Sequence, residues 1–257
     1  MTDFGSSANL DRMLILGIDT SARDGSIAVA NGDSGNFRLV EVVPLTAGAY
    51  SAELIPQLTA LLERHGKNKS MLQAVAVASG PGSFTGLRIG LSTAKALAEA
   101  MGISIAAVST LEAVAFNVGQ GREPAAGGMA ERPLLTGLVL AALDAGRGQI
   151  FLGEYHLAGG GAPLCISESL VTLEELVLSS RQRPDATVVT PSQVVFDALE
   201  AAGLGVRLIA QPKADVIARI GLEKIGRGET VSAELLDANY LRRPDSANLP
   251  VHPEISS

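Results

Sequence analysis

The 257-residue chain has one cysteine, no tryptophan and three histidines, and each shortage removes a class of function. A lone Cys165 cannot build a disulfide framework; it fits a reducing compartment, and its expected place is a strand, as a small buried thiol. It has no positional link to a histidine, so a Cys–His nucleophile is not indicated. His65, His156 and His252 fall at a helix end, a strand and the tail. Without H-x-x-x-H, H-E-x-x-H or C-x-x-C spacing, no metal site is expected. No G-x-S-x-G elbow occurs either. Aromatic residues are 4% of the chain, too few for a base-stacking platform. The formal net charge of −7 argues against this chain alone gripping a phosphate backbone, so any nucleic acid would be reached through a more basic partner. No apolar run reaches the roughly 18 uninterrupted residues of a membrane helix. The opening stretch MTDFGSSANLDR lacks the basic and apolar regions of a secretory signal, and a cytoplasmic protein is the expectation.

What is present is an apolar fraction of 47%, enough for a proper core in one large domain or two of ordinary size. After a flexible lead-in at 1–12, Met13 to Asp19 reads as a buried strand. Ser26–Ala30 and Arg38–Val43 follow across Asp24-Gly25 and Asn31-Gly32-Asp33 turn signals, as an antiparallel meander. Ala52–His65 carries leucines at helical spacing. Strand Ala74–Ala78, a helix to Met101 and strand Ile103–Val108 complete a β-β-β-α-β-α-β unit. Ser109 with Glu112, Thr172 with Glu175, and Thr190 with Gln193 are spaced as capping boxes, the last with Pro191 at the first helical position. Residues 119–133 read as a surface loop. Leu134–Asp144, Gln149–Tyr155, Leu164–Val171 and Val206–Ile209 read as strands, Pro212–Ile225 as a final helix, and 244–257 as a loose tail.

The most informative stretch is Gly80-Pro81-Gly82-Ser83-Phe84-Thr85-Gly86-Leu87-Arg88-Ile89-Gly90, between a buried strand and a helix. It matches neither G-x-x-x-x-G-K-[ST] nor G-x-G-x-x-G, which favours a structural turn over a phosphate cradle, with Ser83 or Thr85 as the helix cap. Gly86, Gly90, Ala94 and Ala98 recur every four residues and share one helix face. Each glycine there costs about 1 kcal/mol against alanine, so a close backbone approach should offset it. Two partners for that face stand open: the protein's own sheet, or another chain.

The strand ending Asp19-Thr20-Ser21 is echoed by the strand ending Asp144-Ala145-Gly146, each turning at once into a second strand. A duplicated α/β unit would face these corners across a cleft, where α/β folds bind ligands. Such acids can hold a metal–phosphate pair, or merely form the turn by accepting from a backbone amide two residues on.

IDTS at 18–21, GPGSFTGLRIG at 80–90, VSTLEAVA at 108–115 and ANYLRR at 238–243 resemble the TsaB (YeaZ) family, in the same order from Met13 to Arg243. That resemblance implies an α/β, actin-like (ASKHA, ribonuclease H-like) fold of two duplicated subdomains, mixed sheets flanked by helices, divided here as 13–109 and 110–243. It implies a non-catalytic scaffold without cofactor that pairs with the transferase TsaD, assisted by the ATPase TsaE, in threonylcarbamoyladenosine modification of tRNA. TsaD carries a metal-binding H-x-x-x-H that this chain lacks. In the family the two helices mapping onto Ser51–His65 and Gly86–Met101 form the dimer bundle, which also offers a homodimer. The expected partner-binding residues are therefore Ser51, Leu54, Ile55, Leu58, Gly86, Leu87, Arg88, Gly90, Leu91, Ala94 and Ala98. Asp19, Thr20, Ser21, Asp144, Ala145 and Gly146 would line a vestigial nucleotide cleft. Tyr50 stands where family members commonly have histidine. The rival expectation is a self-sufficient ATP-dependent phosphotransferase, for which Gly159-Gly160-Gly161 is the one candidate adenosine motif.

Overall fold

The computed structural model describes residues 13–33, 35–120, 122–125, 128–131, 135–159 and 161–241; the expected lead-in and tail lie outside them. The chain runs β1 (Met13–Asp19), β2 (Gly25–Asp33), β3 (Asn36–Leu45), α1 (Tyr50–Arg64), β4 (Ala74–Gly80), α2 (Phe84–Met101), β5 (Ser104–Ser109) and α3 (Thr110–Gly119). It continues with β6 (Arg122–Ala125), β7 (Gly128–Glu131), β8 (Gly137–Gly146), β9 (Gln149–Leu157), β10 (Leu164–Thr172), α4 (Leu173–Gln182), β11 (Thr187–Thr190), α5 (Gln193–Ala201), β12 (Val206–Leu208) and α6 (Ala214–Gly226). Two five-stranded sheets result, ordered β3-β2-β1-β4-β5 and β10-β9-β8-β11-β12. The orders are the same once the second set is counted from β8. In both, the first strand pairs antiparallel with the second and parallel with the fourth, as in Asp19↔Ser26 and Leu16↔Val75, and in Leu143↔Phe151 and Leu140↔Val188.

β1 and β4 are covered on both faces, which is why they read as continuous apolar runs. Leu14, Leu16 and Ile18 point to one side, against Leu54, Leu58, Leu87 and Leu91 of α1 and α2. Ile15, with Ala76 of β4, points to the other, against Ile217 and Ala218 of α6. α6 sits on the sheet backbone itself. A Cβ at Gly17 would lie 2.2 Å from the Ala214 carbonyl oxygen, and one at Gly221 would lie 2.2 Å from Ala76 Cβ. α3 is apolar almost all round because it is shared. Leu111, Val114 and Val118 pack into the second lobe, while Ala113 and Phe116 pack into the first. Lys224 of α6 reaches Glu112 of α3 at 2.7 Å. Burial pushes the Glu112 carboxyl up, and the Lys224 ammonium opposes that shift.

Several local expectations are revised. Ser109 caps α3 by accepting from Leu111 N rather than from residue 112. The Thr172–Glu175 box forms as expected. The box at Thr190 does not: Ser192, nearer the helix, accepts from Val195 N and caps α5, so Pro191 precedes the cap. The expected loop at 119–133 contains the β6–β7 hairpin. β8 starts at Gly137; Leu134 lies outside the described residues. Cys165 is exposed, not buried, because β10 is the edge of its sheet. The expected 109/110 division gives α6 to the second subdomain, yet α6 packs on the first sheet.

The largest revision concerns α2. Gly86, Gly90, Ala94 and Ala98 are buried against the protein's own sheet, together with Leu87 and Leu91. A Cβ at Gly90 would lie 2.4 Å from Thr20 Oγ1 and 3.4 Å from Ile18 Cγ2. The choice between own sheet and another chain is settled for this face, because no room remains for a second backbone. Gly90→Leu is thus expected to destabilise the fold by about 1–3 kcal/mol or more through overpacking. Ser92→Leu, on the exposed side of the same helix, should stay within about 0.5 kcal/mol of wild type. Urea denaturation followed by circular dichroism distinguishes the two.

Candidate functional site

The two duplicated corners face each other across a cleft, and their chemistry differs. At the first corner Asp19 is 2% exposed. Its Oδ1 accepts from Ser21 N at 2.9 Å and from Ser21 Oγ at 2.6 Å. The Thr20 hydroxyl donates to the Gly86 carbonyl at 2.7 Å, and Ser83 N donates to the Ser21 carbonyl at 2.7 Å. The glycine run lies directly on this corner: a Cβ at Gly82 would stand 2.3 Å from the Ser21 carbonyl oxygen, and one at Gly86 would stand 2.0 Å from that of Thr20. This contact explains the glycines, and Ser83 is the helix cap, accepting from Gly86 N. Tyr50 braces the turn from the other side. Its hydroxyl accepts from Gly25 N and faces the carbonyls of Ala22 and Arg23, at 2.8 and 2.5 Å.

The second corner is open. Asp144 is exposed, and its Oδ1 accepts from Gly146 N at 2.7 Å. Gly146, Arg147 and Gly148 all take positive φ, so the turn is tight. Both acids therefore make the same backbone turn.

The cleft has a volume of about 740 Å³. One wall is Ser21–Arg23 with Pro81–Phe84 and Leu87; the other is Leu143–Gly146, Phe151, Pro191 and Ser192. Of the six residues expected there, Ser21, Asp144, Ala145 and Gly146 line it. Asp19 and Thr20 do not; they sit behind the surface in the corner's own hydrogen bonds. Gly159 and Gly161 lie in the β9–β10 connection, away from the lining. Among the described residues, no group of three or more His, Cys, Asp or Glu is placed to hold a metal.

Several residues were given no role by the sequence, although Asn239–Leu241 and Thr110 fall within the ANYLRR and VSTLEAVA segments. Asn239, Tyr240 and Leu241 close one side of the cleft. Asn239 N donates to the Ser79 carbonyl at 2.7 Å, and Asn239 Nδ2 to Glu168 Oε2 at 2.6 Å. Glu168 also accepts from the hydroxyls of Ser109 and Tyr155, so one carboxylate joins β5, β9, β10 and this strap. Burial, then the Glu168 charge, pushes the Tyr155 phenol well above its ordinary value. A single acid in an edge strand carries no pattern that would have flagged it. Thr110 is 3% exposed and lines the cleft, and its Oγ1 has no hydrogen-bond partner among the described residues. An unmade buried bond of that kind costs about 1–3 kcal/mol.

Of the expected partner-binding residues, Leu54, Leu58, Gly86, Leu87, Gly90, Leu91, Ala94 and Ala98 are inside the first lobe. Ser51, Ile55 and Arg88 are exposed. Arg88 lies 3.8 Å over the ring of Phe84, which is itself 43% exposed, and its Nε reaches Tyr240 OH at 3.4 Å.

The family model for "TsaD: tRNA N6-adenosine threonylcarbamoyltransferase" matches residues 41–220. The tRNA threonylcarbamoyladenosine biosynthesis protein TsaB of Bacillus subtilis is 30% identical over 239 residues, covering 90% of this chain and 94% of that protein. TsaB of Escherichia coli is 30% identical over 235 residues, covering 90% and 95%. YeaZ from Pseudomonas aeruginosa has a similar solved structure, with a TM-score of 0.66 and 23% identity, covering 88% and 99% of the two chains. The fold is accordingly the actin-like, ribonuclease H-like α/β arrangement of two matching lobes.

Burial raises the native pKa of Asp19, against the lowering effect of its two bonds from Ser21. A raised native value means the folded state holds its proton more tightly, so the stability Asp19 contributes falls as pH rises from its unfolded value towards its native one. Asp19→Asn keeps a turn acceptor and does not titrate. The stability difference is expected to move in favour of asparagine as pH rises from about 4, then to level off. Denaturant midpoints of both proteins across pH check this; movement in the other direction contradicts it.

Proposed function

The chain belongs to the TsaB family, and from that premise we propose that it is a non-catalytic scaffold subunit supporting a TsaD-type transferase in threonylcarbamoyladenosine modification of tRNA. The observation that carries this reading is the first corner. The Thr20 hydroxyl and the Ser21 carbonyl are engaged by the chain's own glycine run, and the Ser21 hydroxyl by Asp19, in the place where a phosphotransferase of this architecture would seat metal and phosphate. The lobes keep the form of a nucleotide cleft, with weak or absent ATP binding. That counts against the rival phosphotransferase.

The partner surface is the outward side of α1 and α2: Ser51 and Ile55 from α1, Arg88 from α2. Three features support it. Ile55 is 38% exposed, Arg88 stacks on the exposed Phe84, and Ser92 and Ala96, four and eight residues beyond Arg88 on α2, are small and exposed, which permits close approach. Exposed aromatic–arginine pairs are the residue types that carry interface energy. Homodimerisation would use the same surface and compete with the transferase. A TsaE-type ATPase would join the complex, tRNA would be met through the basic surface of a partner, and the setting is the cytoplasm. We take 13–109 with α6 as one lobe and the rest of 110–243 as the other.

Ile55→Asp with Arg88→Glu is expected to weaken binding to the TsaD-type subunit at least tenfold, about 1.4 kcal/mol, with an unchanged circular dichroism spectrum. Light scattering and calorimetry read this, and reconstituted tRNA modification should fall in parallel. Wild-type affinity in the double variant would place the surface elsewhere. Modification of tRNA by the isolated chain would refute the scaffold role.

A further inference from the structure

We propose that the cleft between the lobes is a binding site for a small amphipathic monoanion, an aryl or alkyl carboxylate or sulfonate, and not only an inherited remnant. The inference stands apart from the partner reading, because it concerns the N-terminal end of α2 and needs no second chain, although Phe84 and Tyr240, which Arg88 touches, also line the cleft.

Three helices begin at this cleft: α2 at Ser83 and Phe84, α3 at Thr110, and α5 behind Ser192. Each is eight residues or longer, and each N-terminus carries roughly half a positive charge. Arg23 adds a full one from the first corner. Against them stands the carboxylate of Asp144, already accepting from Gly146 N. Glu168 lies near the base of α3, where three donors occupy it. Glu112 is paired with Lys224. The balance at the cleft favours one negative charge.

A helix end alone is not a site, and Thr110 supplies the independent observation. It occupies the first position of α3, lines the cleft, is 3% exposed, and has an Oγ1 with no partner among the described residues. A hydroxyl in that position, beside a helix N-terminus, is set to donate to an acceptor on a ligand. The remaining walls fix the rest of that ligand. Phe84, Leu87, Leu143, Phe151 and Leu241 give the cleft an apolar body, and 740 Å³ is the size that encloses a molecule of one or two rings. A nucleoside triphosphate fits poorly. Its phosphates would need both corners, and the first is filled by Gly82, Gly86 and the Thr20 bond. A single anionic group needs only the helix ends and Thr110.

The test uses the full chain and the probe 8-anilinonaphthalene-1-sulfonate, titrated by fluorescence and by calorimetry for stoichiometry. One site per chain is expected. Thr110→Val is nearly isosteric and similar in helix propensity, and should weaken the probe at least fivefold. It should also raise the thermal midpoint of the free protein, because the unpaired hydroxyl is gone. Stability and binding thus move in opposite directions, which a merely structural threonine would not do. Arg23→Glu, on an exposed side chain, should weaken the probe more than tenfold with an unchanged midpoint. Absence of saturable one-to-one binding overturns the proposal. So does binding that both variants leave intact, which would mean adsorption on exposed apolar side chains such as Leu164 or Val194. Displacement of the probe by micromolar Mg-ATP would overturn the assigned ligand class.

Discussion

Backbone lies directly on backbone where the glycine run meets the corner at Thr20 and Ser21. No side chain separates the two segments: Cβ atoms at Gly82 and Gly86 would collide with the carbonyl oxygens of Ser21 and Thr20. Two hydrogen bonds, Ser83 N to Ser21 O and Thr20 Oγ1 to Gly86 O, lock the contact. Any side chain larger than hydrogen at either glycine would push α2 away from β1. The loss of helix propensity at Gly86 and Gly90 is offset by this approach, and by the packing of Leu87 and Leu91 against Leu16 and Ile18 that it permits.

The contact settles three further things. It fixes the rotation of α2 about its own axis, so the small-residue face turns inward and Arg88, Ser92 and Ala96 turn outward. It closes the first corner while leaving the second open, which breaks the functional symmetry of a duplicated fold whose two sheets keep the same strand order. And it sets the floor and mouth of the cleft, because Phe84 and Leu87 reach that cleft only in this orientation. The strap at Asn239–Leu241 then closes the remaining side, held by Ser79 from one sheet and Glu168 from the other.

Much of this architecture was legible in the sequence, and the reason is periodicity. β1 and β4 are buried on both faces and spell continuous apolar runs; α1 and α6 show apolar residues at helical spacing. The two acid corners were visible as an internal echo, and both form the turn that Asp chemistry allows. The facing of α2 was not legible. A small-residue face states that some backbone comes close but carries no side chain to say which one. Ser192 was passed over as a cap because Thr190 and Gln193 present the same spacing two residues earlier, and only the backbone turn selects between them. Cys165 was misplaced because strand position within a sheet is a tertiary fact. Thr110 lies within the quoted VSTLEAVA segment and Glu168 in an edge strand, but the surroundings that make each of them matter are tertiary and are not spelled in a single sequence.

The central claim is that α2 has an inner face spent on its own lobe and an outer face available to a partner. Maleimide labelling of single cysteines in a Cys165→Ser background tests it most directly. Cysteine at Ser92 is predicted to label rapidly in the free chain, cysteine at Ala94 to label only as the protein unfolds, and the rate at position 92 to fall at least tenfold when the TsaD-type subunit is added. Rapid labelling at 94 in the folded chain, or a position 92 that stays equally reactive in the complex, would contradict the account.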